Sequence, residues 1–523
     1  TGDLDQMWAT QVAVANSLDR TRIPATVAGE LDKAVDVDVA SITTDSLTRA
    51  LSILMGAIEN ARGIMTVYDT YLVQKAIVDE IADNSKPRLS SSLTIFRNNI
   101  ESARVMADKA LTTGEVQAAC DNLETARRAY VVDAEPLNGI GFDMTFKVAS
   151  ASCDNATGWL NDATVNFRTL VNSGRDNEYS GVFLENWIGP DRVLQNDNRA
   201  IYQTVNELPS GNYELKAAVF RKVELSDADP SEINVSLYLN GQQTEVTAET
   251  FKYFTVKGAV SKAAEIGVKC GRGNTANWIG MADVTLMYYG KAVMELNEED
   301  AAFDIQDGLY GDVLVHQTLE AGEWNILCLP FDVPSTQMNR KFVRRSVKEL
   351  KGMEMNGIYC DLKFETVSEM KAGVPYLVQV ASSVHELDFT NVTLDAGAIE
   401  ANESVVTDGD VTVCLQGTSH KGAVYHSNLY TYDDDSFTKA EMGADVNGFR
   451  AYLRIDGAIP EYVCIYIDGK MTSIREIRNE ALESKVNVYT IDGRLVRNGV
   501  GRAESLDGLP SGMYIINGKK VLK

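Results

Sequence analysis

The four histidines and seven cysteines of this 523-residue sequence are dispersed along the chain. The four histidines lie among alternating apolar residues and lack the spacing of metal ligands; they are His316, His385, His420 and His426. Ser419 precedes His420 in the turn-rich stretch GTSHKG, but no GxSxG nucleophile elbow occurs. A surface loop is therefore favoured over a hydrolytic centre, and no catalytic residue is predicted.

Cysteine and glycine spacing also argue against cofactor chemistry. The seven cysteines stand singly, without a CxxC pair, and most lie beside apolar residues. We predict that they are small buried hydrophobic side chains; they are Cys120, Cys153, Cys270, Cys328, Cys360, Cys414 and Cys464. The run CGRGNTANWIG lies between two strand-like segments, whereas a phosphate loop connects a strand to a helix, so a nucleotide site is not predicted.

The residues best suited to a ligand are aromatic and lie between positions 140 and 290. A sugar ring needs a flat aromatic surface for its apolar side and amide or carboxylate groups for its hydroxyls. Three of the five tryptophans fall in this range, among many asparagines. The predicted ligand-binding residues are Trp159, Asn161, Tyr179, Glu185, Trp187, Arg192, Asn277 and Trp278. Further polar neighbours are Asn155, Asn186, Asn196 and Asn198.

The surroundings of the three tryptophans differ. Trp159 and Trp187 lie in stretches rich in Asn, Asp and Gly, which favours exposure in loops. In ANWIGMADV, strand alternation places Trp278 on the same face as Val284 and Leu286, which favours burial. The competing interpretation is that all three belong to the core of a β-sandwich.

A carboxylate in the middle of the same apolar strand needs a partner. Asp283 would be costly to bury alone. Either a structural Ca²⁺ or a buried hydrogen bond to loop amides satisfies this requirement, since calcium takes oxygen ligands such as carboxylates and backbone carbonyls. Apart from this calcium, no cofactor is predicted.

Apolar periodicity divides the chain into four regions. Residues 1–135 repeat apolar positions at helical spacing, as in the series Leu47, Leu51, Leu54, Ile58, Met65, Tyr68, Leu72 and Ile77, and predict an antiparallel helical bundle. Short alternating runs then predict a β-sandwich over 140–290, a second all-β domain over 300–470 and a small β-hairpin module over 471–523. The predicted fold class is therefore multidomain, α plus mainly β.

Two kinds of turn signal support the β regions. LPSGN at Leu208 and LPSGM at Leu509 each precede a Tyr-led strand, and we interpret both as strand-entry turns. Asp492-Gly493 and Asn517-Gly518 are signals for two-residue hairpins.

Charge and length exclude several classes of function. The formal net charge of −25 opposes binding to nucleic acids or anionic membranes. No apolar run is long enough to span a membrane, and a leader before Thr1 was either removed or never present. No region offers the roughly 250 residues of an α/β barrel, and no carboxylate pair of a glycosidase can be singled out among 74 acidic residues.

Three stretches resemble known families. NATGWLNDA, LENWIGPDRVLQNDNRAIYQTVNELPSGNYELKAAVFR and NWIGMADVTLMYY, within 146–289, resemble the galactose-binding-like jelly rolls of carbohydrate-binding modules. The ending VNVYTIDGRLV with LPSGMYIINGKKVLK resembles C-terminal sorting tails of secreted and surface proteins of Bacteroidetes. AGEWNILCLPFDVP, MKAGVPYLVQV and VNGFRAYLRI resemble a β domain of Bacteroides and Prevotella surface proteins.

These resemblances imply a secreted or cell-surface protein that is not an enzyme. The jelly roll would bind a polysaccharide or the glycan of a glycoprotein, and the helical bundle would serve as a spacer or contact other surface proteins. Two alternatives remain open, namely a structural or adhesive protein in which the sandwich is a spacer, and a hydrolase. Joint exposure of Trp159 and Trp187 would favour glycan binding over the structural alternative.

Overall fold

The computed structural model describes residues 2–162, 167–172, 174, 176–189, 192–194, 198–223, 233–303, 307–433, 435–471, 485–501, 505–516 and 519–523. It divides into two compact units, Thr1–Lys291 and Ala292–Lys523. Helices occupy the N-terminal region and antiparallel sheets dominate the remainder, which confirms the predicted class of α plus mainly β. The four predicted domain ranges stay a prediction.

The first unit opens with five α-helices. They are α1 Gly2–Ser17, α2 Ala25–Val35, α3 Thr44–Asp83, α4 Ser90–Lys109 and α5 Thr113–Val131. Helix α5 begins with a capping box, in which the Thr112 hydroxyl accepts the Glu115 N–H and the Glu115 carboxylate accepts the Thr112 N–H at 3.0 Å. Phe96 near the start of α4 stacks on Tyr130 near the end of α5 at 4.3 Å, so these two helices are antiparallel.

The predicted stripe on α3 is correct in its first half and wrong at its end. Leu47 to Ile58 and Tyr68 are buried, but Leu72 and Ile77 are 36% and 45% exposed. The core face continues instead through Tyr71 and Val78. The steps of four and then five residues from Tyr68 to Leu72 and Ile77 add up to a rotation of about 180° around the helix, which carries Ile77 to the opposite side.

Two facing sheets complete the first unit. Their strands, with the short pair β1 Ser85–Pro87 and β2 Ala134–Pro136, are β3 Phe142–Asp143, β4 Arg168–Asn172, β5 Gly181–Trp187, β6 Arg199–Val205, β7 Gly211–Lys222, β8 Val235–Leu239, β9 Gln242–Glu245, β10 Lys252–Val260, β11 Ala264–Cys270 and β12 Trp278–Gly290. One sheet has the order β10-β7-β12-β5-β4, with β3 also paired to β12, and the other has the order β6-β11-β8-β9.

The core of the sandwich lies between these sheets and is continuous with the core of the helices. Leu215 and Val219 of β7 contribute from one sheet, and Leu237 of β8 contributes from the other. At the junction, Arg127 on α5 is 8% exposed, and its guanidinium donates to the carbonyl oxygen of Asp143 at 2.7 Å. The helical region and the sandwich therefore form one unit.

The second unit is built mostly of strands. They are β13 Ala292–Asn297, β14 Tyr310–Leu319, β15 Asn325–Cys328, β16 Val347–Asn356, β17 Tyr359–Thr366, β18 Pro375–Val378, β19 Val384–Thr393, β20 Glu403–Asp408, β21 Val411–Gly417, β22 Gly422–Val424, β23 Leu429–Asp433, β24 Ser436–Ala440, β25 Ala444–Val446, β26 Ala451–Asp456, β27 Tyr462–Ile467 and β28 Lys470–Met471. Two short helices, α6 Ser335–Lys341 and α7 Ala398–Ala401, lie among them.

Three larger sheets and one strand pair organise this unit. Their orders are β13-β14-β19, β15-β18-β16-β17-β27-β28, β20-β21-β26-β23-β24 and β22-β25. A further four-stranded sheet, β30-β29-β31-β32, contains β29 Lys485–Thr490, β30 Leu495–Gly501, β31 Met513–Ile516 and β32 Lys519–Leu522. Its own small core contains Val486, Val488, Tyr514 and Ile516.

The two LPSG turns have the same local structure. Tyr213 donates its hydroxyl to the carbonyl oxygen of Pro209 at 2.8 Å, and Tyr514 does the same to Pro510 at 2.8 Å. Each turn leads directly into a strand, as predicted. The repeated pentapeptide is therefore a structural device that fixes the entry of a strand.

The structure also bears on the predicted hairpin turns, the cysteines and membrane-spanning segments. Gly493 has a φ of 87° and its N–H bonds to the carbonyl oxygen of Thr490, so a turn forms there, but the bond from the Thr490 N–H to Arg494 encloses three loop residues, 491–493, where two were predicted. Asn517-Gly518 lies outside the described residues. All seven cysteines are buried, as predicted. Among the described residues, no helix is both long and apolar enough to cross a membrane.

Candidate functional site

An irregularity in strand β12 decides which side chains face outward from the sandwich. Its pairing with β7 shifts between Ala282 and Thr285, and Asp283 within that shift has a φ of 47°. This bulge inserts one residue, so the alternation of side chains reverses beyond it. Val284 and Leu286 face the core, whereas Trp278 faces away from it.

The prediction that Trp278 shares a face with Val284 and Leu286 is therefore wrong. The core residues before the bulge are Ile279 and Met281, and Trp278 packs instead against the aromatic cluster on the outer side of the sheet. Strict alternation holds only along an uninterrupted strand.

Strand register places Trp278 between a lysine and the second candidate tryptophan. It lies opposite Lys222 of β7 on one side and opposite Trp187 of β5 on the other. In the next row of the sheet, Glu185 of β5 lies opposite Arg168 of β4. We name these five residues, Arg168, Glu185, Trp187, Lys222 and Trp278, the indole pair site.

Glu185 connects the two halves of the indole pair site. Its side chain is 2% exposed, and one carboxylate oxygen accepts the indole N–H of Trp278 at 2.9 Å. The other oxygen lies 2.5 Å from a guanidinium nitrogen of Arg168. A buried carboxylate needs such partners, since desolvation of an unpaired charge is costly. Glu185 therefore fixes the position of Trp278 and attracts Arg168 to its side.

Each indole of the site also lies beside a cation. The guanidinium carbon of Arg168 is 5.2 Å from the centre of the Trp187 ring, and the ammonium of Lys222 is 5.4 Å from that of Trp278. Such cation–π contacts hold aromatic rings at a surface. Trp187 is 36% exposed, so part of its ring is available to a ligand.

A second, smaller hydrophobic cluster lies beside the site, on the same outer side of the sheet. Phe183, Phe220 and Phe251 form its buried centre, and Tyr179 and Trp278 pack against its edge. Phe220 meets Trp278 edge to face, with ring centres 5.1 Å apart. This cluster gives the Trp278 indole a rigid backing.

The prediction that Trp159 is exposed in a loop, where its ring could contact a ligand, is wrong. The residue is 4% exposed, and its indole N–H donates to the carbonyl oxygen of Ser150 at 3.1 Å. Reciprocal backbone bonds between Leu160 and Tyr202 tie the following residue to strand β6. Trp159 is therefore part of the core and is not exposed together with Trp187.

The remaining predicted residues do not all converge on the site. Asn277 is fully buried, and its amide donates to the carbonyl oxygen of Gly189 at 2.9 Å, so its role is to hold a loop. Tyr179 belongs to the aromatic cluster, where its hydroxyl donates to Val182 at 2.7 Å. Asn161 is half-buried and Arg192 is exposed, and both lie in loops outside the strands that carry the indole pair site. Asn196 lies outside the described residues.

Asp283, the predicted calcium ligand, accepts a hydrogen bond in this structure. The hydroxyl of Tyr253 donates to its carboxylate at 2.5 Å. Within the described ranges, no group of three or more His, Cys, Asp and Glu side chains is placed to hold a metal ion. The described acidic side chains therefore do not form a calcium cage around Asp283, and calcium binding there stays a prediction.

This hydrogen bond makes stability depend on pH. The bond to the Asp283 carboxylate raises the pKa of Tyr253 to about 12, so the folded state favours the neutral phenol. Because the folded pKa exceeds the unfolded value of about 10, the stabilisation is present below pH 10 and is lost as pH rises towards 12. We expect Tyr253→Phe to lower the free energy of unfolding by about 1 kcal/mol at pH 8.

Urea unfolding of the wild type and Tyr253→Phe, repeated between pH 8 and pH 11, measures this effect. The difference between the two chains should shrink above pH 10. In an Asp283→Asn background, where asparagine tolerates the same positive φ, the pH dependence of the difference should disappear. A constant difference across the range would contradict the assignment.

The Ser419 hydroxyl is not arranged as a catalytic nucleophile. It donates to the Glu400 carboxylate at 2.5 Å and contacts the Nδ1 of His420 at 3.1 Å. A catalytic triad places histidine between the nucleophile and the acid. Here serine lies between the other two groups, so the imidazole receives no orienting bond from Glu400.

Comparison with known proteins finds only distant structural similarity. No protein-family model matches the sequence, and no curated protein matches it. A xylan-binding CBM22-1 domain from Paenibacillus barcinonensis Xyn10C is 9% identical, with 27% of this chain and 93% of that chain covered and a TM-score of 0.19. A family 35 carbohydrate binding module from Clostridium thermocellum is 13% identical, with 25% and 92% covered and a TM-score of 0.16.

A solved structure with a different activity is about equally similar. A cyclase from Fischerella sp. TAU is 12% identical, with 29% of this chain and 95% of that chain covered and a TM-score of 0.20. All three scores lie far below 0.5. The similarity therefore assigns neither a ligand nor a reaction to this chain.

Proposed function

We propose that the protein binds a glycan through the indole pair site and is not an enzyme. The observation that carries this proposal is the position of Trp187, 36% exposed and beside Trp278 on the outer side of the sheet. The apolar side of a sugar ring packs on such an aromatic surface, and adjacent charged groups bond to its hydroxyls. Arg168 and Lys222 supply donors beside the rings.

The preorganisation of the site supports the same proposal. Glu185 already holds the Trp278 indole by a hydrogen bond and forms an ion pair with Arg168. A sugar that settles on rings fixed in advance loses less side-chain freedom on binding, which leaves more of the interaction energy for affinity. We further propose that the protein is exported to the cell surface or secreted, which rests on the resemblance of the C-terminal sequence to sorting tails.

A structural or adhesive protein is the second candidate function. The burial of Trp159 favours it, because the predicted pair of exposed loop tryptophans does not form. In that case the sandwich would be a spacer, and the outer aromatic cluster would serve only stability. A hydrolase is a weaker alternative, since neither the dispersed histidines nor Ser419 form a catalytic arrangement among the described residues.

We expect Trp187→Ala to weaken glycan binding at least about tenfold, because it removes the exposed part of the aromatic surface. Affinity is measured with the full chain on a glycan array and then by titration of the best ligand. Tyr289→Ala is the matched control, since Tyr289 is also 36% exposed and lies on β12, at the other end from Trp278. Binding by none of the three chains would favour the structural candidate, whereas equal binding by all three would show that the glycan does not bind at the indole pair site.

A further inference from the structure

A cavity of about 250 Å³ lies in the second unit, beside the edge strand β24 and strand β27. Exposed residues such as Glu461 and Tyr462 border it, so the cavity opens to solvent and can admit a ligand. It is smaller than the roughly 300–1,000 Å³ typical of ligand pockets, so its occupant must be small. The volume suits a single ring with its substituents.

One wall of this cavity is a pair of stacked tyrosines. Tyr359 and Tyr462 face each other across the parallel ladder of β17 and β27, with ring centres 5.3 Å apart and planes 25° apart. Tyr462 lines the cavity and is 37% exposed, so part of the residue faces solvent. Its stacking on Tyr359 holds this ring in place.

The floor and the rim of the cavity differ in chemistry. Its floor is apolar, with Tyr430, Phe437 and Ile465 each less than 5% exposed. Its rim carries hydroxyl, carboxylate and ammonium groups, supplied by Asp435, Ser436, Thr438, Lys439 and Glu461. An occupant therefore needs one apolar surface and an edge rich in hydrogen-bonding groups.

We propose that this cavity binds one pyranose ring of a glycan. A pyranose combines an apolar face, formed by its C–H groups, with hydroxyls around its edge, which matches the aromatic wall and polar rim. The ring would pack on Tyr462, and its hydroxyls would bond to the side chains of Ser436, Thr438, Lys439 and Glu461. This second site lies in the second unit and does not depend on the indole pair site.

The test uses the full chain carrying Trp187→Ala, so that binding at the indole pair site is weakened. Saturation-transfer difference NMR is recorded with the methyl glycosides of glucose, galactose, mannose, xylose and N-acetylglucosamine. We expect a signal for at least one sugar, and Tyr462→Ala should weaken its binding about tenfold. Thr438→Phe, at an exposed rim position, should reduce binding similarly by filling the cavity.

The control is Tyr425→Ala, which removes a tyrosine that is 73% exposed and does not line the cavity. Circular dichroism establishes that each variant is folded. The proposal is overturned if no methyl glycoside gives a signal, or if the signal survives both Tyr462→Ala and Thr438→Phe.

The single variants Trp187→Ala and Tyr462→Ala distinguish binding at the cavity from binding at the indole pair site. Binding lost in Trp187→Ala and retained in Tyr462→Ala would support the indole pair site and overturn the cavity. Binding retained in Trp187→Ala and lost in Tyr462→Ala would support the cavity and contradict binding at the indole pair site.

Discussion

Glu185→Ala is expected to lower the free energy of unfolding by about 3 kcal/mol and to weaken glycan binding at least about tenfold. The carboxylate is 2% exposed and contacts both the Trp278 indole N–H and Arg168. Removal of the carboxylate leaves the half-buried Trp278 indole without its hydrogen-bond acceptor. It also leaves a space between Trp278 and Arg168 on the outer side of the sheet. Arg168 is 56% exposed and can be hydrated, which limits the cost on its side.

Glu185→Gln separates the two contacts. The amide oxygen of glutamine can still accept the Trp278 indole N–H, whereas the charge that attracts Arg168 is lost. We therefore expect a smaller loss, of about 1–2 kcal/mol, with Trp278 still in place. Urea denaturation measures the stability of each variant, and titration with the best array ligand measures its affinity.

Glu265→Gln provides a control on the opposite sheet. Glu265 also accepts from one aromatic residue and one arginine, through Tyr238 at 2.8 Å and Arg199 at 2.8 Å. It is 34% exposed, so its replacement should cost about 1 kcal/mol or less and leave glycan affinity unchanged. If Glu185→Ala bound glycan as well as the wild type, the indole pair site would not be the binding site.

Local sequence patterns were sufficient to predict much of the fold. The switch from helical to strand spacing separates the region of α1 to α5 from the strands that follow. The LPSG turns could be interpreted from four residues, because proline and glycine restrict or permit backbone angles regardless of what surrounds them. The structure adds that Tyr213 and Tyr514 secure both turns by the same hydrogen bond.

Side-chain orientation at the site could be predicted only in part. Glu185, Trp187 and Trp278 were identified from residue type, and the structure brings them together. The outward orientation of Trp278 depends on the bulge at Asp283. The only local sign of this bulge in the sequence is an acidic residue within an apolar strand. Trp159 was misassigned because a polar, glycine-rich sequence can still cover a buried ring.

The two cations of the site were missed for a different reason. Arg168 and Lys222 lie on strands β4 and β7, and their proximity to the indoles comes from the strand order β7-β12-β5-β4. Strand order is a property of the whole sheet. Alternation within each strand assigns these residues to a face, but it does not determine which strands become neighbours.

Gly280→Ala is expected to destabilise the protein by about 2–3 kcal/mol, although it adds only one methyl group. A Cβ atom at this position would lie 2.1 Å from one ring carbon of Phe220 and 2.8 Å from another. The ring cannot move freely, since it meets Phe251 at 4.9 Å and Trp278 at 5.1 Å between ring centres. Relief of the contact must therefore displace the backing of the Trp278 indole.

Gly258→Ala is the matched control in the same sheet. A Cβ there would lie 3.2 Å from the Cγ and 3.4 Å from the Cβ of Gln242, a contact that a shift of a few tenths of an ångström relieves, so the expected loss is about 0.5 kcal/mol or less. Urea denaturation and glycan titration are compared for both variants. If Gly280→Ala reduces affinity as well as stability, the aromatic cluster positions the binding surface. An unchanged affinity in a destabilised chain would show that Trp278 is not part of that surface.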